Sequence, residues 1–151
     1  MLTPADTADI AAVPALRSWV HWVADPDAAS VPQVRFRVRA TLDGWRVPVE
    51  VADALLLAVS ELVGNVVRHA GGGAGRMRVA VVAGDGWLRL EVADRGAGLP
   101  RLPAPRAEVD PESECGRGLL MVQLLTAELG GELSVVADEF GKCVRVRVPA
   151  S

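Results

Sequence analysis

The chain has 151 residues, of which 50% are hydrophobic and 23% are charged, a composition that predicts one globular domain with a sizeable core. Its net charge of −3 argues against a general nucleic-acid binder, and no apolar run reaches the ~20 residues of a membrane helix. The N-terminus lacks the pattern of a secretory leader, and Cys115 and Cys143 form no Cys-x-x-Cys pair, so we expect a cytoplasmic protein without disulfides and without direct nucleic-acid or membrane contact.

The first third of the chain predicts a tail, a strand and a helix. Residues 1–14 are expected to form the tail, and residues 15–151 the domain. The Trp- and Val-rich run 16–23, followed by Asp-Pro, predicts a strand. Residues 31–45 fit two patterns, since apolar residues alternate from Val34 onward but also recur at intervals of three and four. We interpret them as a helix with Ser30 as candidate N-cap, because that pattern is longer and has a start signal.

The middle of the chain predicts a long helix and a hairpin. Residues 52–67 are dense in Ala, Leu and Val without an internal proline, and Pro48 suits the first turn of such a helix. The run Gly71–Gly73 ends it. Residues 76–83 and 87–93 predict two strands, and the Gly-Asp-Gly between them is a strong hairpin signal.

The last third predicts a loop, a helix and a second hairpin. Residues 99–115 contain four prolines and no periodicity, which is typical of a loop. Residues 118–129 have a helical pattern closed by two glycines. Residues 132–137 and 142–148 predict the strands of the final hairpin.

One pair of polar residues interrupts the apolar long helix. Glu61 and Asn65 are four residues apart, so their side chains project from the same helical face. A carboxylate can accept a proton, and an amide oxygen is a suitable Mg²⁺ ligand. The same spacing also fits a polar stripe on the solvent side of the helix, and the two interpretations are equally good for this motif alone.

Two glycine motifs follow. Asp94 comes directly after a strand and is followed by Gly96 and Gly98, which would let the backbone turn and approach a ligand closely. The Gly116-Arg117-Gly118 motif stands where a helix is predicted to begin, and a helix N-terminus attracts anions. A plain turn and a flexible hinge are the alternative interpretations.

In this order the three motifs resemble the GHKL ATPase superfamily, and most closely the bacterial anti-sigma-factor serine/threonine kinases and their small single-domain relatives. The similar segments are SELVGNVVRHA at 60–70, ADRGAGLP at 93–100 and GRGLLMV at 116–122. The resemblance covers about residues 16–149. It implies an α/β fold, a two-layer sandwich in which three helices cover one face of a mixed, mainly antiparallel sheet, and it supports a helix over residues 31–45.

The resemblance also implies a role for each motif. Asp94 would bind the adenine amine, and Gly96 and Gly98 would admit the base. Asn65 would coordinate Mg²⁺, and Glu61 would be the general base that activates the attacking hydroxyl. The backbone of Gly116, Arg117, Gly118 and Leu119 would hold the phosphates, and residues 99–115 would form a lid over ATP or ADP.

The family implies protein partners as well. Its kinases phosphorylate a serine on a small anti-anti-sigma antagonist, bind a sigma factor through another surface and are commonly dimers. A docking module that uses the nucleotide only as a conformational ligand is the second hypothesis, and a histidine kinase catalytic domain is the third. Gly64 and Cys143 stand where relatives often carry threonine, and we expect both changes to weaken the site.

Overall fold

The computed structural model describes residues 16–70, 75–95, 114–137 and 141–150. Within these ranges it contains five strands and three helices in the following chain order: β1 (Arg17–Ala24), α1 (Ser30–Gly44), α2 (Val49–Ala70), β2 (Arg76–Gly84), β3 (Trp87–Asp94), α3 (Glu114–Glu128), β4 (Glu132–Ala137) and β5 (Lys142–Pro149).

The strands form one sheet in the order β1-β2-β3-β5-β4, and every pairing among the described strands is antiparallel. β2 and β3 form the predicted hairpin, in which Gly86 has a φ of 75°. Such a positive φ is readily adopted by glycine. The helices pack on one face of the sheet, so the predicted α/β two-layer sandwich is confirmed.

The core lies between α2 and the central strands. Side chains alternate across a strand, and the inward-facing Val79, Val81 and Leu90 are fully buried. Leu55 and Val59 of α2 meet them from the other layer and are buried to the same degree. This packing fixes α2 above the ends of β3 and β5, where the polar residues of the sequence motifs are found.

The helix predicted over residues 31–45 is confirmed with its last helical residue at Gly44, but it begins differently. Ser30 is the first helical residue, and Ala29, at the N-cap, provides no side-chain cap. Asp27 and Ser30 instead bond reciprocally: the Ser30 backbone N–H donates to Asp27 Oδ1 at 3.1 Å, and the Asp27 N–H donates to Ser30 Oγ at 3.0 Å. These reciprocal bonds resemble those of a capping box but join Asp27 to the first helical residue. Because Ala29 is at the N-cap, the prediction of Ser30 as N-cap is wrong.

Arg35 ties α1 to α2. Its guanidinium donates to the Leu56 carbonyl at 3.0 Å and to Ser60 Oγ at 2.9 Å. The arginines of α1 are expected from sequence to form a solvated face, which holds for the exposed Arg37 and Arg39 but not for Arg35.

α3 begins four residues earlier than predicted, at Glu114 rather than Gly118. The Gly116-Arg117-Gly118 motif therefore lies within the first two turns of the helix. Its C-terminus is as predicted: Gly130 has a φ of 77°, and the Gly130 and Gly131 N–H groups donate to the carbonyls of Ala127 and Thr126. This is a Schellman motif.

Candidate functional site

A cleft opens between α2, α3 and the adjoining ends of β3 and β5. The empty space between its walls is about 460 Å³, a volume that includes open solvent. Its lining comprises Leu62, Asn65, Val66, His69, Val92, Asp94, Leu119, Lys142 and Val144. The walls are thus mostly aliphatic, with a few polar groups at defined places, as is typical of a small-molecule site.

One end of the cleft carries an ion pair on the sheet. Asp94, the last residue of β3, is directly opposite Lys142 of β5 in the register. Asp94 Oδ1 lies 3.8 Å from Lys142 Nζ, and the two side chains are only 6% and 16% exposed. A Cβ at Gly141 would collide with the Asp94 carbonyl oxygen, so the glycine allows the two strands to approach closely beside the pair.

The first and third motifs meet above the sheet. Gly118 of α3 faces Glu61 of α2 so closely that a Cβ at position 118 would overlap Glu61 Oε2 and lie 3.0 Å from its Cδ. Glu61 is half-buried. The missing side chain at Gly118 therefore leaves the space in which the Glu61 carboxylate lies, and a potential proton acceptor is held against the glycine motif.

Asn65 lies in the cleft one turn beyond Glu61. Its Oδ1, the predicted Mg²⁺ ligand, accepts a hydrogen bond from Arg68 Nη2. Arg68 Nη1 lies 3.6 Å from the position that a Cβ on Gly64 would occupy. A metal ion at this oxygen would have to use its second lone pair beside the guanidinium or displace the guanidinium. Within the described ranges, no group of three or more His, Cys, Asp or Glu side chains is placed to hold a metal ion.

Some predicted site residues are outside the described part of the chain. Gly96, Gly98 and residues 99–113 of the predicted lid belong to this group, and Glu114 and Cys115 are the first residues of α3. Gly116 and Arg117 are described only as helical backbone. The roles assigned to all of these residues stay predictions.

Cys143 is not among the residues that line the cleft. Lys142 and Val144 line the cleft, and because strand side chains alternate, Cys143 lies on the other face of β5, opposite Ala93. It is fully buried there. Burial and the nearby Glu91 carboxylate raise the pKa of its thiol, and a hydrogen bond from Arg145 opposes this only in part. Cys143 therefore lies away from the cleft, and its expected weakening of the site stays a prediction.

Sequence reasoning missed Lys142 and Arg68. Antiparallel pairing of the two predicted strands would have placed Lys142 opposite Asp94. The spacing of three between Asn65 and Arg68 on a helix is the signal for their contact. His69, for which both capping and phosphate contact are open from sequence, is exposed and lines the cleft.

The family model of the histidine kinase-like ATPase domain matches residues 23–148, and the chain therefore belongs to this family. A curated relative, a blue-light-activated histidine kinase of Erythrobacter litoralis, is 33% identical over 119 residues, which cover 76% of this chain and 32% of the relative. The chain thus spans about a third of the length of that relative.

Solved structures agree on the fold. The RsbU and RsbW domains of a Mycobacterium tuberculosis protein superpose with a TM-score of 0.61 at 20% identity, covering 87% of this chain and 32% of that one. The histidine kinase domain of an Erythrobacter litoralis blue-light-activated kinase gives a TM-score of 0.54 at 23% identity, covering 85% and 62%. Within the described residues, no helix is long and apolar enough to cross a membrane.

Proposed function

We propose that this protein is a cytoplasmic, ATP-binding regulatory kinase of the anti-sigma type. It transfers a phosphoryl group from ATP to a serine on a small anti-anti-sigma-type partner, binds a sigma factor through another surface, or does both, as a monomer or homodimer. The observation that carries the proposal is the contact between Glu61 and Gly118, which holds a carboxylate beside the helix whose glycine motif is assigned to the phosphates.

The cleft suits a nucleotide. Its aliphatic walls would hold the flat base, and the buried carboxylate of Asp94 would accept a hydrogen bond from the exocyclic amine. Gly96 and Gly98 would admit the base from the side. Asn65 would turn its oxygen from Arg68 to Mg²⁺.

The N-terminus of α3 would hold the phosphates. The first residues of a helix keep unpaired N–H groups, and in α3 these residues include Gly116. The helix dipole adds a favourable field for an anion there. Arg117 would add charge, and Leu119, which is 7% exposed, would complete the apolar wall. Residues 99–115 would close as a lid.

Glu61 is assigned the chemical step. Glu61 would accept the proton of the attacking serine hydroxyl as the serine oxygen bonds to the γ-phosphorus and the bond from that phosphorus to the β-phosphate oxygen breaks, which releases ADP. The glycine motif of α3 would hold the phosphates, and the lid would exclude water. Asn65 would hold Mg²⁺, which would neutralise phosphate charge. In support of this role, the Glu61 carboxylate is half-buried and lies against Gly118 of the helix whose glycine motif is assigned to the phosphates.

A docking module is the second candidate function. The hydrogen bond from Arg68 to Asn65 favours it, because the metal ligand is engaged within its own helix. In that case ATP or ADP would set the position of the lid and thereby control the binding of a protein partner without phosphoryl transfer.

The decisive experiment follows label from [γ-³²P]ATP into a candidate acceptor of the anti-anti-sigma type. Wild type, Glu61→Gln and Glu50→Gln are compared, and Glu50 is the matched control because it is exposed on the first turn of the same helix. We expect transfer by wild type and Glu50→Gln and its loss in Glu61→Gln, with nucleotide binding retained in all three.

The other possible results of this experiment lead to different conclusions about the function. Undiminished transfer by Glu61→Gln removes Glu61 as the base, and nucleotide binding without transfer to any acceptor supports the docking module. Label that is stable to acid identifies phosphoserine, whereas acid-labile label identifies phosphohistidine and would assign the chain the chemistry for which its curated relative is named.

A further inference from the structure

Lys142 and Asp94 form an unusual pair at the sheet end of the cleft. Asp94 Oδ1 and Lys142 Nζ are 3.8 Å apart, close enough to attract each other but beyond the 2.7–3.2 Å of a direct hydrogen bond. Both side chains lie largely away from solvent. Buried lysines are rare unless they are paired, and here an ammonium donor and a carboxylate acceptor lie side by side at the cleft.

The backbone fixes this arrangement. Asp94 and Lys142 are cross-strand partners at one end of the β3–β5 ladder, and the next pair on the same face of the sheet, Val92 and Val144, supplies adjacent apolar wall. Gly141 lies so close to Asp94 that a Cβ there would collide with the Asp94 carbonyl oxygen, so the two backbones pack tightly beside the pair. The two charged groups are therefore positioned by the sheet rather than by mobile segments.

Adenine presents a matching edge. Its exocyclic N6 amine is a donor, and the neighbouring ring atom N1 is an acceptor. If each atom forms a hydrogen bond of about 2.9 Å and the two bonds are nearly parallel, the two partner atoms on the protein lie a few ångströms apart. A carboxylate oxygen and an ammonium at 3.8 Å meet that requirement. A lysine ammonium has three donors and no acceptor, so it is suited to N1 and not to N6.

We propose that Lys142 is a specificity-determining residue that donates a hydrogen bond to adenine N1, while Asp94 accepts one from N6. This rests on the proposed nucleotide-binding function. The pair then binds N6 and N1 at the same time. Two charge-assisted hydrogen bonds to the base take the place of the direct attraction between the Asp94 and Lys142 side chains.

The test compares ATP with 1-deaza-ATP, in which N1 is replaced by a C–H group. Dissociation constants are measured by calorimetry for wild type, Lys142→Met and Arg147→Met. Arg147 is the matched control because it lies on the same strand, is exposed and points to the other face. A hydrogen bond to a charged donor predicts that wild type binds ATP at least about tenfold more tightly than 1-deaza-ATP.

In Lys142→Met, we expect ATP affinity to fall by about the same factor and the preference over 1-deaza-ATP to disappear. Arg147→Met should keep the wild-type preference. A purely structural role of Lys142 would weaken both nucleotides equally and leave their ratio unchanged, and that result overturns the inference. The wild-type ratio tests the N1 contact even if Lys142→Met does not fold, since a ratio near one also overturns it.

The outcome is distinguishable from failure of the proposed function. Tight ATP binding by wild type without discrimination at N1 refutes the role of Lys142 and leaves the nucleotide site standing. Absence of binding of either nucleotide to wild type refutes both. Lys142→Arg, which keeps a cationic donor, is expected to retain part of the preference.

Discussion

Replacing Gly64 by alanine should stabilise the protein. Gly64 lies in the interior of the 22-residue helix α2, where glycine costs backbone entropy. A Cβ there would have Arg68 Nη1 as its nearest neighbour, at 3.6 Å, which is ordinary van der Waals contact. The substitution therefore removes the cost of glycine without introducing a clash.

The expected gain is about 1 kcal/mol, the difference between glycine and alanine within a helix. For a chain of this size that free energy raises the melting temperature by roughly 2–4 °C. Circular dichroism at 222 nm would follow thermal unfolding, and urea titration would give the free energy of unfolding independently.

Gly130→Ala is the matched control, for which the expected change in melting temperature has the opposite sign. Gly130 has a φ of 77°, which costs a non-glycine residue about 1–2 kcal/mol, so this variant should melt at a lower temperature. If Gly64→Ala melts at or below the wild-type temperature, the reasoning about the helix beside Asn65 is refuted.

Three further predictions concern residues outside the cleft. Urea titration of Arg35→Met should show a loss of about 1.5 kcal/mol of unfolding free energy, which is the lower end of the range for hydrogen bonds to a charged group. The loss is at this end because Ser60 Oγ still donates to the Leu56 carbonyl. An equal loss in Arg37→Met, at an exposed position, would contradict this. In a Cys115→Ser background, native Cys143 should react with iodoacetamide at pH 8 far more slowly than in urea, because its pKa is raised; equal rates would refute its burial. Partial burial and Arg37 lower the pKa of His21, so its contribution to stability is present above its usual pKa and lost as the pH falls through the lowered value. His21→Gln should thus lose less stability than wild type between pH 7.5 and 5.5, and identical acid sensitivity in urea titrations would contradict the assignment.

The periodicity of apolar residues was sufficient to predict most of the helices and strands. The long helix and the β2–β3 hairpin could be predicted because their apolar spacing and glycine signals are local. The start of α3 could not, since Gly116 and Gly118 have low helix propensity and suggest a break. In the structure they lie inside the helix, and at Gly118 the lack of a side chain leaves room for the Glu61 carboxylate.

The details of the site depended on which strand residues face each other. Cys143 and Lys142 are neighbours in sequence, but only the pairing of β5 with β3 determines that Lys142 faces the cleft and Cys143 does not. Likewise, the sequence predicts that Glu61 and Asn65 share a helical face but not that Arg68 donates to Asn65, because rotamers depend on packing. The motifs located the cleft, and the contacts within it required the structure.

Calorimetric titration of ATP and Mg²⁺ into wild type and Asp94→Asn tests the proposal that the cleft binds ATP through Asp94. We predict saturable binding to wild type and a loss of about tenfold or more in Asp94→Asn, since the amide replaces a charged acceptor of the adenine amine. Equal affinity of the two proteins, with both folded by circular dichroism, would contradict the assignment of the site.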